Sequence, residues 1–115
     1  SAKHGVMHWW LQRVTAIAMI PLFIWFITIV ISVLLSPNVI DVARWFAAPM
    51  HALLLGALIV AMFYHAKLGL QVVVEDYIHS PCTKYTLLLA NNFFAFAGAG
   101  ICIIAILKLH FLNIQ

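Results

Sequence analysis

The sequence predicts an all-α domain of three transmembrane helices, and three observations carry that prediction. Of its 115 residues 66% are hydrophobic and only 8% charged. The mean hydropathy is +1.11. The apolar residues are gathered into three long runs. A chain of 12.9 kDa has too little interior to hide so much apolar surface, so a bilayer must cover it. That excludes a cytosolic enzyme, a nucleic-acid binder and a secreted disulfide scaffold. The formal charge of +3 comes from only six Lys and Arg, dispersed without a basic cluster able to follow a phosphate backbone.

The first run, 14–35, carries no charge over 22 residues, enough to cross about 30 Å of hydrocarbon as a helix. Thr15, Thr28 and Ser32 can return their hydroxyls to the helix backbone, and Pro21 in the second turn is expected to kink it. A signal peptide would have a shorter apolar region and a small-residue cleavage site. Ser36-Pro37-Asn38 marks a turn instead, so this span is expected to stay. Ser1 in place of Met is expected of a chain whose natural start is missing.

The second run begins near Trp45 and continues through His65 and Lys67 to Val74. Residues 46–74 span roughly 42 Å as a helix, so one end must project or the helix must tilt. The third span, 85–107, is uncharged, with Asn91 and Asn92 near its start and Lys108 and His110 beyond its end. The whole chain, 1–115, reads as a single membrane domain with spans at about 14–35, 46–74 and 85–107.

Lys3, Arg13, Lys67 and Lys84 flank one side of these spans, against Arg44 and Lys108 on the other. Four against two places the N-terminus and the loop after Glu75 on the cytoplasmic or mitochondrial matrix side. Trp9, Trp10, Tyr77 and Tyr85 on that side and Trp45 on the other suit interfacial belts. Cys82 lies in a polar loop and Cys102 deep in an apolar run, so a disulfide between them is not expected. No C-x-x-C-H attaches a c-type haem. Three helices enclose little, and the third carries Ala95 and Ala99, and Gly98 and Cys102, at four-residue spacing. Such small residues admit another helix closely. A partner membrane subunit is expected there, the alternative being packing within this chain.

Six histidines are many for so apolar a chain. His4, His8, His79 and His110 fall outside the spans and read as interfacial or solvated. His51 and His65 fall within the second helix, where an ionisable group is costly and usually marks a site. His65 lies about 13 Å from Val74 along the helix, with Ala61 and Gly69 one turn either side on its face. Small neighbours leave room for a flat macrocycle, and an inward histidine is a good iron ligand. A hydrogen bond between helices explains His65 equally well from the residues alone. His51 lies within about 40° of the same face, which suits stacked haems, but its place beside Pro49 favours an interfacial role. A single haem needs a second axial ligand, and a partner chain is its natural source. Lys67 points roughly opposite His65 and is expected to snorkel.

Two motifs then look familiar. His65-Ala-Lys-Leu-Gly69-Leu-Gln-Val-Val-Val-Glu75-Asp76-Tyr77 resembles the second helix and following loop of the D-type hydrophobic membrane anchor subunits of succinate dehydrogenase, respiratory complex II. Gly5-Val-Met-His8-Trp9-Trp10-Leu-Gln12-Arg13-Val-Thr15-Ala16 resembles the approach to that family's first helix, where an Arg precedes x-Thr-Ala. The motifs fall in the family's order and at the matching ends, and the resemblance covers essentially the whole chain.

The resemblance implies a three-helix membrane anchor packed with a partner anchor subunit in a heterotetramer. A flavoprotein subunit oxidises succinate, an iron–sulfur subunit passes electrons on, and the two anchors hold haem b and reduce ubiquinone. Residue by residue, it makes His65 the axial ligand of the haem iron and Tyr77 the quinone's hydrogen-bond donor. It puts Arg13 near the haem propionates and quinone pocket, with Asp76 in the quinone's vicinity. Each also has a plain reading: Tyr77 as a belt residue, Arg13 as a positive flank, Asp76 as a solvated carboxylate. Facing supports Asp76, about 20° from His65, whereas Tyr77 would lie about 120° away in an unbroken helix. The helix is therefore expected to end or bend before Tyr77. Trp9 and Trp10 suit a quinone entrance, an iron–sulfur subunit contact or a lipid belt.

The chain has no flavin motif and no cysteine set for an iron–sulfur cluster, so it is not a complete enzyme alone. A haem-free structural anchor is the second reading. A small proton-transporting subunit using His51 and His65 is the third, and the lack of other buried carboxylates opposes it.

Overall fold

The computed structural model describes residues 2–35 and 38–113, all but a few of them helical. Four helices follow in order: α1 (Ala2–Leu35), α2 (Val39–Ala47), α3 (Pro49–Tyr77) and α4 (Pro81–Asn113). Three of them, over His4–Leu35, Pro49–Tyr77 and Pro81–Leu112, are long and apolar enough to cross a membrane. Every span is longer than its uncharged run, because flanking polar residues continue the helix beyond it. In α1 the segment holding His4, His8, Gln12 and Arg13 is helical, and the helix runs on through Pro21 without a break. Ser36 and Pro37 of the expected turn lie outside the described residues.

The second span was expected to begin at residue 46. Instead the chain forms a separate short helix, α2, and restarts at Pro49. Ala48, in an extended conformation (φ −70°, ψ 122°), both caps α2 and precedes α3. The residue before a proline is pushed from helical to extended backbone, and proline itself suits a helix's first turn. Asn38 opens α2 by accepting the Ile40 N–H at 3.0 Å, a standard N-cap. Asp41 in its first turn and Arg44 in its last match the helix dipole.

α3 is the central helix, with α1 and α4 packed against it and α2 lying across α3 and α4. The body measures 52 × 25 × 24 Å. Its core is small: Leu58, Ala61 and Leu68 of α3 and Ile106 of α4. Gly98 sets the α3–α4 approach, since a Cβ there would lie 2.5 Å from Phe63 Cε1. At Gly98 the small-residue stripe thus packs within the chain. Asn91 Nδ2 donates to the Lys67 carbonyl at 2.9 Å, a second tie between these helices.

Candidate functional site

His8, Gln12 and Thr15 follow at steps of four and three and share one face of α1, which looks onto α3. Thr15 Oγ1 lies 3.0 Å from His65 Nδ1, and Gln12 Nε2 lies 3.5 Å from where a Cβ on Gly69 would sit. A helix–helix hydrogen bond, one of the two explanations open for His65, is therefore present. It engages Nδ1; Nε2 has no hydrogen-bond partner among the described residues. The space expected beside Gly69 is filled by Gln12, and Ala61 is buried in the core. On the same face of α1, about one and two turns before Thr15, Gln12 Oε1 and His8 Nε2 are buried without a hydrogen-bond partner, which is unusual for native polar atoms. An imidazole seated through Nδ1 with Nε2 left open has the donor chemistry of a metal ligand.

The other residues singled out in the sequence lie at the same end. Arg13 is exposed, with its guanidinium carbon 5.0 Å from the Trp9 ring centroid. Trp9 and Trp10 meet edge to face at 4.9 Å. Asp76 is exposed and Tyr77 is 75% exposed. The bend expected before Tyr77 does not occur: α3 is unbroken through it and closes at Ile78, whose N–H donates to Val74 O. Tyr77 therefore stays about 120° around the helix from His65. The fold brings His65 and Thr15 into contact and leaves Arg13, Asp76 and Tyr77 on the surface.

At the opposite end, His51 Nδ1–H donates to the Trp45 carbonyl at 3.0 Å, and its ring stacks on Trp45 at 4.7 Å. Trp25 completes this cluster, 5.7 Å from Trp45 and 6.4 Å from His51. His110, expected to be solvated, is half-buried and donates from Nδ1 to Phe46 O at 2.8 Å. Lys67 does not snorkel freely: its Nζ lies 5.6 Å from both the Tyr64 and Phe96 ring centroids, a paired cation–π contact. Sequence reasoning missed Thr15 as the partner of His65. The spacing of His8, Gln12 and Thr15 was the available signal, a polar face on an otherwise apolar helix.

Three helices long and apolar enough to cross a membrane, a largely apolar exterior and a polar contact between Thr15 and His65 inside two of the spans define a small integral membrane protein. The family model described as succinate dehydrogenase/fumarate reductase transmembrane subunit matches residues 1–106, and the chain belongs to that family. Among curated relatives, the succinate dehydrogenase hydrophobic membrane anchor subunit of Rickettsia bellii is 33% identical over 107 residues, covering 92% of this chain and 84% of its own. That of Rickettsia typhi is 32% identical over the same length. The succinate dehydrogenase membrane anchor subunit of Reclinomonas americana is 31% identical over 86 residues, 71% of this chain and 70% of its own. No solved structure matches the chain.

Proposed function

We propose that this chain is a membrane anchor subunit of a succinate:ubiquinone oxidoreductase. In this reading it pairs with a second membrane anchor, shares haem b and part of the ubiquinone site with it, and docks the iron–sulfur and flavoprotein subunits. The succinate dehydrogenase anchor subunits among its relatives support the anchor role. The observation that carries the site is His65: an imidazole within a span, tied through Nδ1 to Thr15 and open at Nε2. When bound, the haem supplies a one-electron relay at the membrane. His65 holds its iron, and Arg13 offers a permanent charge with forked donors suited to a propionate. Tyr77 donates its phenolic proton to a quinone carbonyl, a bond that strengthens as electrons arrive. Asp76 orients water or polar neighbours there. In the orientation drawn from the positive flanks, these residues lie on the cytoplasmic or matrix side.

The test is a dithionite-reduced minus oxidised spectrum of the intact membrane complex, alongside His65→Ala. A b-type α-band that vanishes or shifts in the variant supports the ligand role; a band indifferent to the substitution overturns it. The bond to Thr15 also favours a second reading, a haem-free anchor in which His65 serves only helix pairing. No b-type band in the wild-type complex would leave that reading standing. For the quinone, Tyr77→Phe is expected to lower ubiquinone reduction by about 100-fold, as loss of a donor to a developing negative charge does. Succinate oxidation by an artificial dye, measured on the same preparation, should persist.

A further inference from the structure

The hydroxyl of Thr15 has its proton committed within its own helix. Oγ1 lies 2.7 Å from the Leu11 carbonyl and 3.1 Å from that of Gln12, the back-bond that helical threonines form. A hydroxyl has one proton to donate and lone pairs with which to accept. With that proton on a backbone carbonyl, the 3.0 Å contact to His65 Nδ1 has one polarity left: Nδ1–H donates and Oγ1 accepts. A charged imidazole is costly at membrane depth, and a neutral one carries a single N–H. Nε2 is then the bare nitrogen. His51 and His110 make the contrast, because their Nδ1 atoms meet backbone carbonyls that only accept. Of these three rings, His65 alone faces a side chain able to play either role.

We propose that Thr15 is the positioning residue for His65: it selects the Nδ1–H tautomer and holds Nε2 as the nitrogen that ligates iron. The proposal rests on the haem reading above. A histidine ligand held through its other ring nitrogen has a fixed orientation and raised basicity, and losing such a partner typically costs 10–100-fold in metal affinity.

The test uses the purified membrane complex carrying Thr15→Val, which keeps the shape and removes the acceptor, and Thr15→Ser, which restores it. Haem transfer to excess apomyoglobin and the haem midpoint potential are measured beside His65→Ala. Thr15→Val is expected to release haem about 10–100-fold faster and to shift the potential upward, because a less basic ligand favours the reduced iron. Thr15→Ser should return both to wild-type values. Wild-type release and potential in Thr15→Val would overturn the proposal while His65→Ala still reports on the ligand. A b-type band that survives His65→Ala would instead remove the haem reading, and the proposal with it. Thr15→Ala repeats the test should the valine not assemble. Assembly with serine but with neither valine nor alanine would make the hydroxyl a folding requirement and overturn the tautomer role.

Discussion

Gly98 shows how a single missing side chain sets a helix contact. Phe63 of α3 lies over it, with Cε1 and Cζ 2.5 and 2.9 Å from the position of a Cβ. Alanine there must push the ring or the helix, and overpacking a packed site typically costs about 1–3 kcal/mol. Gly98→Ala is expected to lower the thermal stability of the detergent-solubilised complex, and adding Phe63→Leu should recover much of it. A double variant no better than the single one would show that Phe63 is not the obstacle. Gly56 and Gly100, with nothing within 4 Å of a Cβ, should accept alanine with little effect in the same assay. This asymmetry could not be read from composition: all three are glycines inside apolar helices, and only the neighbour across the interface distinguishes them.

At the scale of the element, α2 has the least of its own to hold it. Nine residues are too few to make a stable helix alone, and its last carbonyls lack partners within the helix. Histidines from other helices reach two of them: His51 from α3 donates to Trp45 O, which also accepts the Ala48 N–H, and His110 from α4 donates to Phe46 O. The stack of Trp25, Trp45 and His51 adds apolar contact from α1. His110→Leu should therefore loosen α2, at about 1–2 kcal/mol for a lost bond and an unsatisfied carbonyl. Limited proteolysis of the reconstituted complex checks this, with faster cleavage expected within residues 38–48. Unchanged cleavage would mean that packing alone secures α2. The sequence reading left residues 39–44 in the connection and ran only the end of α2 into the second span, because Trp45, Phe46 and Ala47 join the apolar run, although Pro49 marked the break. Composition saw a continuous run where the backbone preference before proline divides it.

Across the whole molecule, most large apolar side chains remain exposed, including Ile24, Leu53, Phe94 and Ile104 at 60–68%, so their burial is left to lipid or to another chain. The antiparallel order of three spans also commits the termini to opposite sides. Cys82 is exposed in the first turn of α4, at the end shared with the N-terminus, while Cys102 is half-buried within that helix. In sealed membrane vesicles, an impermeant maleimide should label Cys82 only from the cytoplasmic or matrix face, and Cys102 from neither. Labelling of Cys82 from the opposite face would reverse the orientation drawn from the positive flanks.

Residue order alone determined that the chain lies in a membrane, that it crosses three times, and that His65 is the residue needing an explanation. Those conclusions depend on run length and on the cost of burying an imidazole in hydrocarbon, and both are local. Which residues meet His65 was not local. Thr15 is 50 residues away, and its hydroxyl was read only as a backbone partner until α1 and α3 were packed antiparallel. The same packing put Gln12 beside Gly69, filled the space below Gly98 with Phe63, and carried α3 straight through Tyr77 where a bend was expected. Membrane spans are specified by hydropathy along one segment, whereas polar contacts between spans depend on the rotation and depth of two helices at once, which only their mutual packing sets.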